Sequence, residues 1–330
     1  MDDDKLQRAL QAVATRVGLR GWSAGLSDRG RLAWSMAAGP ADRSGRAVTT
    51  STLFQLASLT KPIAAVLVMR LVERGALDLD RPAAEFLARQ RSPHRDMARS
   101  SPAITVRHLL THTSAIPGLA LGRRRPAGEP GARYQYSGAA FRLLTDVIET
   151  AGGAGFADQL TAEIIEPCGL TETYAGTAAA EAAGVGNRLA APLGRKGFIG
   201  RLDTPKAIAN AAAGLVSTVA DYLKFDAALG SGSLVADDTR AEMWGAATLA
   251  DGKRSPYGLG FFVQTVGTQR TVWHYGYQPG YHSSLYIDLP DHGLAFVALA
   301  NTDALGRDGK LGAGDLTRSS TAQAVLEALR

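Results

Sequence analysis

Phe54-Gln-Leu-Ala-Ser58-Leu-Thr-Lys61-Pro62 opens a run whose apolar residues Ile63, Val66, Leu67, Val68, Leu71 and Val72 extend to Gly75. Those positions cover most of a helix's circumference, which predicts a buried helix that stops at the glycine. Pro62 is tolerable only in the first turn, where backbone N–H groups have no internal partner, so the helix starts at or near Ser58. Residues three apart share a helical face, which puts the Lys61 amine beside the Ser58 hydroxyl. The free N–H groups and positive dipole end of the same helix face that point. A hydroxyl, an amine and a donor for a developing oxyanion are the parts of an acyl-transfer centre. Alone, Ser58-x-x-Lys61 fits equally well an N-capping serine followed by a surface lysine. The rest of the chain has to decide.

The chain has 330 residues, 45% of them hydrophobic and 20% charged, enough for a substantial core in a globular protein. A net charge of +5 carries little information about partners, because the basic residues are scattered. Arg123-Arg124-Arg125 is the single block and lies among Gly and Pro, which reads as a solvated loop. With neither a basic stripe nor interleaved aromatics, nucleic acid is not an expected partner. Cys168 is the single cysteine, so no intrachain disulfide can form; a small buried apolar role is expected for it. No apolar run is long enough to span a membrane, and the acidic start Met1-Asp-Asp-Asp-Lys5 does not resemble a basic leader. A cytoplasmic location is expected for the chain as it stands, export requiring a leader that was removed.

Working outward, Leu6, Leu10, Val13 and Val17 predict a helix from Lys5 to Arg16. Gly21–Leu26 and Arg31–Met36 read as strands joined by a turn at Asp28-Arg-Gly30. Residues 78 to 215 read as largely helical with long loops, the clearest stripe being Ala140, Leu143, Leu144, Val147, Ile148 and Ala151. The stretch from Ala178 to Gly200 has no period and reads as loop. A helix follows from Ala213 through Ala220–Phe225 to Leu229. Then come strands at Leu259–Gln264, Arg270–His274, Ser284–Asp288 and Leu294–Leu299, the last two joined by Pro290-Asp-His-Gly293, and a closing helix at Thr321–Leu329. Strands at both ends and helices between predict an α+β fold. In it, the sheet region (1–77 and 214–330) forms one antiparallel sheet flanked by helices, with a mainly helical region (78–213) inserted in the same domain.

Three further segments strengthen the tetrapeptide. Ile104-Thr-Val-Arg-His-Leu-Leu-Thr-His-Thr-Ser114 precedes Pro130-Gly-Ala-Arg-Tyr-Gln-Tyr136-Ser-Gly138; Gly214-Leu-Val-Ser-Thr218 precedes Asp221; and Trp273-His274-Tyr-Gly276 precedes Pro279-Gly280. In this order and spacing the chain resembles the serine β-lactamase and penicillin-binding-protein superfamily from about residue 21 to 301. The resemblance is to the branch of class C β-lactamases, D-alanyl-D-alanine carboxypeptidases, β-lactamase-like esterases and transacylases. It implies that Ser58 is the acylated nucleophile, Lys61 its activating partner, and Tyr136 a participant in proton transfer. It aligns His274-Tyr275-Gly276 with the third motif, making His274 the fourth catalytic candidate, and it implies an oxyanion hole from the backbone N–H groups of Ser58 and Tyr277. Gly138, Tyr275, Gly276 and Tyr281 are the candidate substrate-facing positions. Strand alternation, however, puts Trp273 and Tyr275 opposite His274 and favours core positions for both. No cofactor and no metal is implied.

Elementary chemistry supports the assignment. Fewer than about one in a thousand free lysines is neutral at pH 7. Burial and a positive helix end can bring the pKa to ~7–8. A neutral Lys61 could then take the Ser58 proton, or a charged one could hold Tyr136 as the phenolate that does so. The sequence leaves both open. One departure bears on substrate. Where β-lactamases and carboxypeptidases usually read Tyr-x-Asn, this chain has Tyr136-Ser137-Gly138. A lost hydrogen bond to an amide costs about 1–3 kcal/mol, which disfavours amides and leaves esters. His274 in place of lysine also removes a fixed cation.

His108 and His112 stand four apart on an expected helix, but without the His-Glu-x-x-His pattern their segment reads as structural. His282 and His292 are expected at the surface or in loops of the last hairpin. The preferred expectation is a carboxylesterase or acyltransferase acting on a small-molecule ester or acyl substrate. A D-alanyl-D-alanine carboxypeptidase or weak class C-type β-lactamase is the alternative within enzymes. An acylatable penicillin-binding sensor or scaffold is the alternative outside them. Oligomeric state is not legible.

Overall fold

Eight strands carry the architecture: β1 (Trp22–Asp28), β2 (Arg31–Ala38), β3 (Phe54–Gln55), β4 (Val216–Ser217), β5 (Phe262–Val266), β6 (Gln269–Gln278), β7 (His282–Leu289) and β8 (Leu294–Ala300). The structure, a computed structural model, describes residues 3–87, 92–118, 125–194 and 208–329. Six of the strands form an antiparallel sheet in the order β2-β1-β8-β7-β6-β5, so both ends of the chain contribute to it. The β1–β2 turn has Arg29 at φ 46° and Gly30 at φ 77°. Two positive-φ residues make the tight turn whose twist matches that of paired strands. The strands run longer than periodicity alone predicts: β6 continues four residues past His274. Glycine at 276 hides that continuation from a propensity reading.

The sheet is covered on both faces. Along β8, Phe296 and Ala298 join Trp22, Leu26, Trp273 and Ile287 against Leu6, Leu10 and Val13 of the Asp3–Val17 helix and Val325 of the Ser320–Ala328 helix. The alternate residues Ala295, Val297 and Leu299 face the opposite cluster, which holds the Thr60–Glu73 and Val219–Gly230 helices. A period of two with both sets apolar is what a sheet between two helical layers requires.

Between the described residues 78 and 213 there are helices and turns. The stretch expected as loop from Ala178 holds a helix at Thr177–Ala182 and a 3-10 turn at Gly186–Arg188. Its alanines form helix readily, yet supply no apolar period because few are buried; residues 195–200 lie outside the described ones. The expected helix bearing both His108 and His112 ends at Leu110, and His112 takes φ 56°. Elements that went unforeseen include the β3–β4 pair, too short for a periodic signal, the polar Asp237–Met243 helix and the one-turn Ala304–Arg307 helix. Arg125 is exposed, while Arg123 and Arg124 fall outside the described residues. Among the described residues no helix is long and apolar enough to cross a membrane.

Candidate active site

Ser58 sits in a 3-10 turn, Ala57–Leu59, immediately before the Thr60–Glu73 helix. The sequence places the helix start correctly to within this turn, but the serine makes no capping bond there. Ala57 is held at φ 49°, a conformation that costs an ordinary residue about 1–2 kcal/mol. The surroundings fix it. Leu56 N–H donates to Leu215 O at 2.8 Å, and Ser284 Oγ of β7 donates to Leu56 O at 2.8 Å. Tyr222 OH donates to Leu59 O at 3.3 Å. The strain is therefore local to the residue that aims Ser58.

Lys61 is 1% exposed, which rules out the surface-lysine alternative. Its Nζ lies 2.9 Å from Ser58 Oγ and donates to Ala212 O at 2.7 Å. Burial is the main cause that brings its pKa down to about 7, and the Arg142 guanidinium acts in the same direction. About half of the amines are then neutral at pH 7, and a neutral Nζ has the lone pair that the Ser58 proton needs.

Tyr136 arrives from the other side, on the extended segment before the short Gly138–Arg142 helix. Its ring centroid lies 5.3 Å from Lys61 Nζ. Its hydroxyl is buried and makes no well-formed hydrogen bond, although the Ser58 hydroxyl is near enough to favour ionisation slightly. Burial dominates and holds the phenol well above its ordinary pKa, with Tyr275 adding to the effect. Of the two proton routes left open by the sequence, this favours neutral Lys61 as the base and Tyr136 as a protonated phenol.

The third segment lies along β6. Among the described residues this strand pairs past Trp273 with β7 alone, because β5 pairs no further than Phe262↔Trp273. A Cβ on Gly276 would fall 2.6 Å from Leu56 O and 3.1 Å from Ala57 Cβ, so glycine is what lets the nucleophile turn dock on this strand. Ser58 and Tyr277, whose amides are the oxyanion-hole candidates, each follow one of these touching residues. The Tyr277 side chain is 39% exposed and lies against Gly306. Tyr281 is half-buried. Tyr275 is 8% exposed within the aromatic core, and burial brings its hydroxyl up to about 12.

His274 is fully buried behind this surface. Its Nδ1 is 2.8 Å from Tyr275 O and its Nε2 2.9 Å from Tyr257 OH. A carbonyl can only accept, so Nδ1 carries the proton and Nε2 accepts from the phenol. Burial, then the Lys61 charge, holds its pKa well below the ordinary value. It is a neutral strut beneath Tyr136, with ring centroids 6.1 Å apart, and it places no cation at the site.

Gly138 leaves open space: nothing lies within 4 Å of where its Cβ would be. The other histidines divide. His108 caps its own helix through Thr105, and His292 is exposed. His282, expected at the surface, is instead fully buried on β7, with its pKa brought down to about 4 by burial. Polar neighbours in sequence disguised a strand that is covered on both faces. Cys168 is half-buried rather than buried, and burial raises its thiol to about 11. Sequence reasoning missed two residues that shape the site, Tyr257 and His112. The polar run Thr111-His-Thr-Ser114, abruptly following apolar Leu109-Leu110, was the available sign for the second.

The chain is similar to known proteins in both sequence and fold. The family model for Beta-lactamase matches residues 6–316. The chain is 36% identical over 174 residues to Esterase EstB of Burkholderia gladioli, covering 43% of this chain and 44% of that one. It is 26% identical over 297 residues to a penicillin-binding protein of Bacillus subtilis (strain 168), covering 78% of this chain and 62% of that one. The chain thus spans less than two thirds of the length of both relatives. In fold it is similar to EstCE1, described as a hydrolase with promiscuous acyltransferase activity, with a TM-score of 0.73 at 21% identity over 98% of this chain and 99% of that one. With a family match over nearly its whole length, this chain belongs to the Beta-lactamase family.

Proposed function

We propose that the protein is a carboxylesterase, or an acyltransferase using the same acyl-enzyme, acting on small esters. The contact that carries this reading is Lys61 Nζ to Ser58 Oγ, 2.9 Å long, in a place dry enough to bring the amine to about pKa 7. In acylation the Ser58 oxygen attacks the ester carbonyl as its proton passes to Lys61 Nζ. The carbonyl electrons move onto oxygen, toward the Ser58 and Tyr277 amides. On collapse the C–O bond to the alcohol breaks. The Tyr136 hydroxyl gives its proton to the departing oxygen and regains one from the Lys61 ammonium. Water, or a second alcohol, then reverses these steps on the acyl-serine. Hydrolase and transacylase differ in that acceptor alone.

Two features support esters over amides. The space over Gly138 offers no side-chain partner for an amide, and the neutral, enclosed His274 offers no charge for a substrate carboxylate. The similarity to an esterase and to a hydrolase with acyltransferase activity supports the same side. Intact-mass spectrometry after incubation with short-chain p-nitrophenyl esters, and separately with a fluorescent penicillin, tests the reading. A transient acyl adduct from the esters, lost in Ser58→Ala, is expected. A stable adduct from the penicillin together with none from any ester would replace the proposal by the penicillin-binding alternative.

A further inference from the structure

Tyr136 needs something to hold it, because its own hydroxyl makes no well-formed hydrogen bond. The two residues flanking it are both tied to one partner. Gln135 N–H donates to His112 O at 2.8 Å, and Ser137 N–H donates to His112 Nδ1 at 3.2 Å. The imidazole lies against the tyrosine itself, ring centroids 4.3 Å apart. This double grip requires the carbonyl and the side chain of one residue to point the same way along the Tyr136 segment, and His112 meets that requirement at φ 56°. An ordinary residue rarely adopts such a backbone conformation, and it persists where the surroundings enforce it. His112 is fully buried. Burial first, and then the Lys61 charge, keeps its imidazole neutral, so Nδ1 keeps the lone pair with which it accepts.

We propose that His112 is the positioning residue for Tyr136: by accepting the N–H groups on either side of it, His112 aims the phenol at the leaving oxygen. His112 touches no substrate in this account and transfers no proton. The inference rests on the proposed role of Tyr136 as proton donor, and it separates from a merely structural role by substrate chemistry. A nitrophenolate leaves without needing a proton, whereas an alkoxide needs one as it departs. Two acetate esters that differ in the alcohol give the same acyl-enzyme, so their kcat/KM values differ in leaving-group departure.

The experiment compares p-nitrophenyl acetate and ethyl acetate on the wild type, Tyr136→Phe, His112→Leu and His112→Asn. Leucine removes the acceptor at similar bulk. Asparagine keeps an acceptor at the same distance from the backbone, since Oδ1 is bonded to Cγ as Nδ1 is, and it tolerates positive φ. His112→Leu is expected to lower kcat/KM for ethyl acetate by about 100-fold and for p-nitrophenyl acetate by less than about fivefold, with His112→Asn within about fivefold of wild type on both. Equal losses on the two esters, or none on either, overturn the proposal. Should the leucine variant fail to fold, a loss in the asparagine variant confined to ethyl acetate overturns the role given to the accepted hydrogen bond. Tyr136→Phe separates the two levels: if it shows no leaving-group dependence, the reading of Tyr136 fails. If it does and His112→Leu does not, the positioning role alone fails.

Discussion

This molecule holds two clusters of buried ionisable groups, and burial does opposite things in them. Around Ser58 it brings an amine's pKa down to about 7 while the amine stays in contact with a hydroxyl. Near the β1–β2 and β7–β8 turns, a cavity of about 330 Å³ is lined by Asp226 and Asp288, with Arg29, Arg240 and Trp244. Burial there raises the pKa of both carboxyls, Asp226 to about 6; at Asp288 the Asp226 charge adds to the rise while Arg270 and Arg240 oppose it. Tyr286 OH donates to Asp226 at 2.6 Å. Both clusters are perturbed, yet only the first joins its shifted group to a nucleophile on a strained turn docked on a strand. A shifted pKa marks burial; the geometry around it marks chemistry.

The largest effect is expected from Ser58→Ala. Loss of at least about 1,000-fold in ester hydrolysis, and of all covalent labelling, is expected at unchanged thermal stability, because the serine caps nothing. Retained turnover would mean that the chemistry lies elsewhere. On ethyl acetate, whose alkoxide needs a proton as it departs, Lys61→Ala and Tyr136→Phe are each expected to lower kcat/KM by at least about 100-fold, with the double variant losing much less than the product, since both handle one proton. Kinetics showing fully multiplicative losses would assign them to separate steps.

Gly138→Asn sharpens the contrast on the substrate side. The Cβ enters open space, so the variant is expected to fold and to raise the amide-to-ester ratio of kcat/KM by about tenfold, one recovered hydrogen bond of ~1.4 kcal/mol. An unchanged ratio in a folded variant removes the argument from the missing asparagine.

The smallest effect on turnover is expected at the other cluster. A carboxyl whose folded pKa is raised binds its proton more tightly in the folded state, so it contributes stability at low pH that is lost as pH rises. For Asp226 the loss falls between its unfolded value near ~4 and about 6. Urea unfolding of Asp226→Asn is expected to show a weaker decline in stability across that window, with kcat/KM for ethyl acetate unaltered. A change in that value comparable to the one in Tyr136→Phe would make the two clusters one system.

What could be read in advance follows from where the information lies. Ser58, Lys61 and Tyr136 were legible because local spacing on a helix start and a short motif carry them. The both-face alternation of β8 and the clear stripe around Leu144 were legible because burial imprints periodicity. His274 was found by motif, but its inward bonding to Tyr257 was not, since that contact joins residues 17 apart through the fold. His282 and the Thr177–Ala182 helix were misread because polar or alanine-rich segments carry no period from which to infer cover. His112 was placed on a helix that stops two residues earlier, and its grip on Tyr136 appears only when residues 112 and 135–137 meet in space.

The central claim is that Ser58 is activated by a Lys61 that is neutral because it is buried. The pH dependence of kcat/KM for p-nitrophenyl acetate tests it most directly, because this leaving group removes the demand for a proton donor. A lowered amine pKa makes the base competent as pH rises through that value, so the account predicts a single-proton rise with its midpoint near 7 and a plateau above it. A profile still rising through pH 10, as an ordinary lysine or a tyrosine base would give, or one flat from pH 5 to 9, would contradict it.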